Sequence, residues 1–131
     1  MRLSRHRNVW ASPNCLATKS RPYIVPFSHK TLEDDKRDME ESLENTYHIQ
    51  CFPLYSLLMA AAGNVTVNYL SLDLEGGELQ VLQTLPWDKV DIEVITVETA
   101  HAGEIFPGTI QDIRQYLEEV GYVHVYSIAG Q

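Results

Sequence analysis

The sequence predicts a doubly wound α/β fold, in which a parallel or mixed sheet is covered by helices on both sides. Two apolar runs rich in β-branched residues, Val67–Leu72 and Ile92–Val97, each stop abruptly at an acidic residue. Segments with the three-and-four spacing of amphipathic helices stand between and after these runs. Strands that alternate with helices of about ten residues are typical of this fold class.

Length and charge limit the possible partners. The 131 residues, 44% of them hydrophobic, suffice for one compact domain, which we predict over residues 1–131. The 10 Lys and Arg against 18 Asp and Glu give a net charge of -8, which repels nucleic-acid phosphates and anionic lipid. No nucleic-acid partner is therefore expected. No apolar run reaches the roughly 18 residues that a transmembrane helix needs.

The first half of the chain is the less regular one. Short strand-like runs, Trp10–Leu16 and Tyr23–Phe27, precede a highly charged stretch, Leu32–Asn45, that we predict to be a surface insertion. Tyr47–Phe52 then alternates as a strand does, and a helix with apolar residues at three-and-four spacing follows until Gly63.

The second half is more regular. After the acidic turn at 73–77, leucines resume a helical spacing, and Ile92–Val97 is predicted to be a strand buried on both faces. Thr109 and Asp112 resemble a capping box at the start of another amphipathic helix. Tyr122–Ile128 is predicted to be a final strand.

The candidate site lies where the two central strands end. Ligands of open α/β sheets bind outside the carboxyl ends of the strands, and Asp73 and Glu98 stand at these ends. Because consecutive strands are usually neighbours, we expect both carboxylates in one crevice, on the same edge of the sheet. Such a pair acts as a general base toward a hydroxyl or amine, or holds a divalent metal such as magnesium. Glu75 and His101 are further candidates for proton transfer.

Each of these residues also has a structural interpretation. Asp73 suits the N-cap of the following helix, and Glu75 and Glu78 suit its first turn, where the macrodipole favours negative charge. Glu98 fits a solvated strand end, and a lone loop histidine such as His101 is often simply exposed.

The two cysteines leave two interpretations open. Cys15 and Cys51 are too few for a zinc site or a disulfide-rich scaffold. They are either two buried thiols or one disulfide, and we predict that they lie near one another. A disulfide requires an oxidising compartment, and the glycosylation sequon at Asn64 points the same way.

A family resemblance is carried by Leu70–Leu79, where an apolar strand runs into Asp-Leu-Glu-Gly-Gly-Glu. This segment resembles the Asp-x-Glu-Gly-x-Glu motif of the FkbM family of methyltransferases. Leu54–Leu58 resembles the helix that precedes the motif in that family, and Ile95–Glu98 resembles its next strand. The likeness covers Ile49 to Tyr126, with a weaker likeness over Arg5–Leu16.

The resemblance implies a Rossmann-like class I fold, S-adenosylmethionine as cofactor, and methyl transfer to a hydroxyl of a small-molecule or glycan substrate. It implies Asp73 and Glu98 as acids of the crevice, assisted by Glu75 or His101. Ser71 and Tyr55 stand where many members have lysine and aspartate, and these departures speak against activity.

The cofactor-binding part of such an enzyme is missing from the sequence. A Rossmann-like methyltransferase opens with a strand, a glycine-rich turn and an acid after the second strand, and nothing before Trp10 supplies them. We therefore expect a partial domain that lacks the N-terminal cofactor-binding strands, does not bind the cofactor by itself and is inactive as given.

Pro53–Glu78 and Leu85–Glu98 look most like the animal branch of the family that includes the protein called Star. That likeness implies a non-catalytic alternative, a membrane-associated protein of the endoplasmic reticulum and Golgi. Its partner would be protein cargo, because the branch assists vesicle transport of membrane-bound growth-factor precursors. The enzyme alternative implies a cytoplasmic protein.

Overall fold

The computed structural model describes residues 15–28, 46–63 and 66–127. Within these ranges strands and helices alternate from β3 onwards, as the sequence predicts. The elements are β1 (Cys15–Leu16), β2 (Tyr23–Ser28), β3 (Thr46–Phe52), α1 (Leu54–Ala62), β4 (Val67–Leu72), α2 (Glu78–Gln83), β5 (Ile92–Val97) and α3 (Ile110–Glu119).

The strands form two small sheets. In the first sheet, β3 lies between β1, which is parallel to it, and β2, which is antiparallel. In the second sheet, β4 and β5 are parallel neighbours, and α2 lies in the connection between them. The structure therefore confirms both strands predicted around the acidic turn at 73–77, which are β4 before it and β5 after it.

The strand predicted over Tyr122–Ile128 is wrong for residues 122–127, which are irregular. Val123 and Val125 are 83% and 90% exposed. Residues that favour strands need a neighbouring strand to supply hydrogen bonds and side-chain contacts, and no such neighbour occurs in the described ranges. Ile128 lies outside them.

The prediction that β5 is buried on both faces is also wrong. Val94 is 52% exposed, and Tyr69, its partner on β4, is 58% exposed. In the part of the chain that the structure describes, this face of the β4/β5 pair is left open. A mixed α/β arrangement is thus observed, whereas the doubly wound Rossmann-like sheet with helices on both sides stays a prediction.

The helix boundaries follow local sequence signals. α1 begins after Pro53 and ends at Gly63, as predicted. The predicted capping box of α3 is confirmed, because the Thr109 hydroxyl accepts a hydrogen bond from the Asp112 backbone and the Asp112 carboxylate accepts one from the Thr109 backbone. None of the described helices is long and apolar enough to span a bilayer.

The core lies between α2, the β4/β5 pair and α3. The buried residues of α2 are packed with the last residue of β4 and the first residue of β5, and the Trp87 indole donates a hydrogen bond to the Tyr116 hydroxyl on α3. This packing holds the carboxyl ends of β4 and β5 against the start of α2. The buried hydrophobic residues of the cluster are Leu54, Leu72, Leu79, Val81, Leu82, Leu85, Ile92 and Ile113.

Cys15 and Cys51 form a disulfide between β1 and β3, with a distance of 4.3 Å between their Cα atoms. The prediction that they lie near one another is confirmed, and the interpretation as two buried thiols is wrong. The parallel pairing of β1 with β3 places the two cysteines opposite each other. The Asn64 sequon, the charged stretch at 32–45 and residues 10–14 of the first predicted strand include residues outside the described ranges.

Candidate functional site

The ends of β4 and β5 bring two predicted site residues to one edge. Leu72 and Val97 are paired in register, and the Glu98 backbone N–H donates a 2.8 Å hydrogen bond to the Leu72 carbonyl. Asp73 and Glu98 therefore follow adjacent parallel strands at the same edge, as the sequence predicts. This is the edge at which ligands of open α/β sheets bind.

The turn after β4 has an unusual backbone. Glu75 has a φ of 54°, and Gly76 has a φ of 104°. The residue at the N-cap of α2 is Gly77, and no side chain caps that helix. The interpretation of Asp73 as the N-cap is therefore wrong, and its exposed side chain stands at the strand end without that role.

His101 lies between two carboxylates. Its Nε2 is 3.1 Å from an Oε of Glu75, and its Nδ1 is 3.0 Å from an Oε of Glu104. A neutral imidazole has one N–H, so it can donate to only one of these partners, whereas the imidazolium donates to both. The arrangement therefore favours the protonated ring. We name this group the Glu75–His101–Glu104 array.

The carboxylates change the proton affinity of the histidine. The hydrogen bond and the charge of Glu104 raise the pKa of His101; desolvation opposes this, and the charges of Glu75 and Glu98 make smaller contributions that raise the pKa. The sequence predicts Glu75 and His101 as candidates, and the structure brings them together. Glu104 was not predicted, although its position three residues after His101 in a turn is a usable signal.

Glu98 carries a carboxylate oxygen that has no protein partner. One oxygen accepts a hydrogen bond from the Ala100 backbone N–H. The other is buried and, within the described ranges, receives no hydrogen bond. Buried acceptors are normally satisfied by a donor, so an unsatisfied one at the end of β5 is an unusual feature of this edge. Glu98 is only half-buried, but it is not merely a solvated strand end.

For Glu78, the structure differs from the sequence interpretation, which explained it only by the helix macrodipole. It is fully buried at the start of α2. One of its oxygens accepts hydrogen bonds from the Leu74 and Gly76 backbone N–H groups, at 2.7 and 3.3 Å. Glu78 therefore binds the backbone of the turn before α2. The helix macrodipole alone does not explain this contact.

The segment from Glu98 to Gly108 lies against the start of α2. A Cβ atom on Gly76 would stand 2.6 Å from the His101 carbonyl oxygen, so the two backbones touch. The Gln80 side chain donates a hydrogen bond to the Pro107 carbonyl. These contacts hold His101 next to the turn that carries Glu75.

The same contacts test whether this turn fits a cofactor. A glycine turn that holds S-adenosylmethionine leaves open the space that side chains would fill. Here the space beside Gly76 holds the His101 carbonyl, and a Cβ on Gly77 would meet the Phe106 ring at 3.6 Å. The turn accommodates the protein's own chain, and the described residues do not fit the cofactor at this position.

A metal is not supported either. In the ranges that the structure describes, no group of three or more His, Cys, Asp or Glu side chains is placed to hold a metal ion.

A titration tests the array. We expect Glu104→Gln to lower the pKa of His101 more than Glu75→Gln does, because Glu104 has the larger effect. The pKa is measured from the imidazole proton shifts by NMR. Glu118→Gln, whose carboxylate pairs with Arg114 on α3, is the control and should change nothing. Equal pKa values in wild type and both array variants would contradict the geometry.

The array also gives a pH dependence of known sign. A raised folded-state pKa means that the contact stabilises the turn fully below the ordinary histidine pKa of about 6.5. This contribution is lost as the pH rises through the raised pKa.

A family comparison agrees with the sequence motif and with the mixed α/β arrangement. Residues 8–123 match the family model of the methyltransferase FkbM domain. No significant match was found among curated proteins or solved structures. The match covers most of the chain, so the protein belongs to the FkbM methyltransferase family.

Proposed function

We propose that the chain forms the acceptor side of an FkbM-type O-methyltransferase, in which His101 removes a proton from a substrate hydroxyl. The observation that carries this proposal is the Glu75–His101–Glu104 array at the carboxyl ends of β4 and β5. The acceptor is a small molecule or a glycan that offers a hydroxyl to this edge.

The proton transfer follows from the two ring nitrogens. In the neutral ring, Nδ1–H donates to Glu104 and leaves the lone pair of Nε2 available. Only the neutral fraction of His101 can act as a base: the acceptor hydroxyl displaces the exposed Glu75 carboxylate from Nε2, which takes the proton, and the nearby negative charge of Glu75 stabilises the imidazolium that forms. The two carboxylates raise the pKa of His101, which makes the neutral ring a stronger base.

Asp73 and Glu98 are proposed to bind the acceptor. Both follow strands at the same edge, and the accessible parts of their carboxylates can accept hydrogen bonds from further hydroxyls of the substrate. Orientation of the reacting hydroxyl toward His101 would be their contribution.

S-adenosylmethionine is the methyl donor of the family in general. We propose that this chain alone neither binds the cofactor nor turns over; the filled space beside the glycine turn at 76–77, which leaves no room for the cofactor at that position, supports this. Residues that hold the cofactor are not assigned.

Calorimetric titration of the chain with S-adenosylmethionine tests this, and we expect no binding. In any preparation that contains this chain and methylates, His101→Gln should lower kcat about 100-fold or more, the usual contribution of a general base. Cofactor affinity should stay unchanged, as it should in the control Glu118→Gln.

Two results would contradict the proposal. Micromolar binding by the chain alone would mean that the cofactor site lies within these 131 residues. Full activity of His101→Gln would mean that another group takes the proton.

A second candidate is a non-catalytic secretory-pathway protein like Star, which assists transport of membrane-bound growth-factor precursors. The Cys15–Cys51 disulfide favours it, because disulfides persist in oxidising compartments such as the endoplasmic reticulum. If such a precursor co-precipitates with the protein and His101→Gln leaves this unchanged, the result supports this candidate. If His101→Gln abolishes methylation and no protein partner is lost, the result supports the enzyme.

A further inference from the structure

We propose that Glu78 is a positioning residue for His101, because it fixes the backbone on both sides of Glu75. This inference rests on the proposed proton transfer by His101, and it assigns a task to an acid that takes no part in that step. Glu78 contacts neither the reacting hydroxyl nor the imidazole in the proposal.

The hydrogen bonds of Glu78 enclose Glu75. The residues before and after Glu75 are Leu74 and Gly76, and both of their N–H groups donate to the same Glu78 oxygen. Charge-assisted bonds of this kind are about twice as strong as neutral ones. The carboxylate therefore acts as a clamp across the one residue between them.

The backbone conformation of Glu75 requires such support. Glu75 has a φ of 54°, a left-handed conformation that a side-chain-bearing residue adopts only where its surroundings impose it. Strain of this kind is concentrated at functional sites. Here it turns the Glu75 carboxylate toward Nε2 of His101, at 3.1 Å.

Burial keeps the clamp in one geometry. Glu78 is 0% exposed, so water does not compete for its accepting oxygen. Its second oxygen is also buried and has no partner within the described ranges. A leucine or methionine would avoid the desolvation of this carboxylate, so its hydrogen bonds to the turn are the observed reason for an acid here.

The charged groups near His101 make the effect measurable. Those that raise its pKa are Glu104, Glu75 and Glu98. Glu78 is not among them, so it influences the imidazole through the geometry of the turn and not through its own charge. This separates positioning from a direct effect of charge.

The experiment is a double-mutant cycle on the intact chain, read out as the NMR titration of His101. Glu78→Met removes both acceptors at similar size, and it is made in the wild type and in Glu75→Gln. We expect Glu78→Met to lower the pKa of His101 as much as Glu75→Gln does. In the Glu75→Gln background it should lower it no further. Gln83→Met, on the same helix and exposed, is the control.

Two outcomes would overturn the inference. One is a folded Glu78→Met with an unchanged His101 titration, and the other is an additive decrease in the double variant. If Glu78→Met does not fold, the same cycle with Glu78→Gln decides, since glutamine keeps an oxygen acceptor but loses the charge; a smaller decrease that vanishes in Glu75→Gln is expected. Failure of Glu75→Gln itself to change the pKa would instead contradict the proposed function.

Discussion

Gly76→Ala is expected to destabilise the protein by about 3 to 5 kcal/mol, from backbone strain and overpacking together. A Cβ atom there would stand 2.6 Å from the His101 carbonyl oxygen, and the φ of 104° disfavours any side chain. The neighbour is backbone, so a rotamer change cannot relieve the contact. The free energy of unfolding, measured by urea denaturation, checks this value.

Gly121 offers a matched control for the backbone term. It has the same φ of 104°, but a Cβ atom there would meet nothing within 4 Å. Gly121→Ala should therefore cost only about 1 to 2 kcal/mol, the cost of a left-handed side-chain-bearing residue. Equal losses at the two positions would mean that His101 does not approach the turn. That result would also remove the physical basis of the Glu75–His101–Glu104 array.

Removal of the disulfide is expected to have an effect of similar size. Cys15 and Cys51 are separated by 36 positions, and closing a loop of this length in the unfolded chain stabilises the folded state by about 4 kcal/mol. Thermal unfolding with and without a reducing agent should show a large decrease in Tm on reduction. The strand pairing of β1 with β3 covers only two residues, so little else holds β1 in place.

A Cys15→Ala, Cys51→Ala double variant is the control for this experiment. Its Tm should match that of the reduced wild type and should not respond to the reducing agent. If reduction leaves the wild-type Tm unchanged, the bridge does not form in solution, and the support for an oxidising compartment is lost with it.

The β4, α2, β5 and α3 elements could be predicted from sequence because their signals are local. Apolar runs bounded by acids mark the two strands, and Thr109 with Asp112 marks the start of the last helix. Parallel pairing of consecutive strands then places Asp73 and Glu98 at one edge. For these parts the short-range pattern and the tertiary structure require the same conformation.

The predictions that were wrong concern contacts between segments that are distant in the sequence. Val123 and Val125 have a strand-like pattern, but the described ranges give them no strand partner. Val94 reads as a core residue, yet its face of the sheet is open. Burial and strand pairing depend on which other segments are present, and a periodic pattern in one segment does not contain that information.

The site was predicted only in part for a related reason. Glu78 in a first helical turn is adequately explained by the macrodipole, so its hydrogen bonds to Leu74 and Gly76 were missed. A clue was present in the spacing, because an acid four residues after Leu74 can reach back across the turn. For Glu104 the spacing of three residues from His101 was the corresponding signal, but the contact also depends on how the loop after β5 folds.

The disulfide also changes how much stability is lost when the segment between its two cysteines becomes longer. The bond joins the ends of this segment in the unfolded chain as well as in the folded one, so the entropy of closing the loop enters both states. Lengthening a loop costs only about 0.6 kcal/mol per doubling, and with the bond in place most of that cost cancels. A longer segment between the two cysteines should thus cost the oxidised domain less stability than it costs the reduced one, which a comparison of Tm with and without a reducing agent would show.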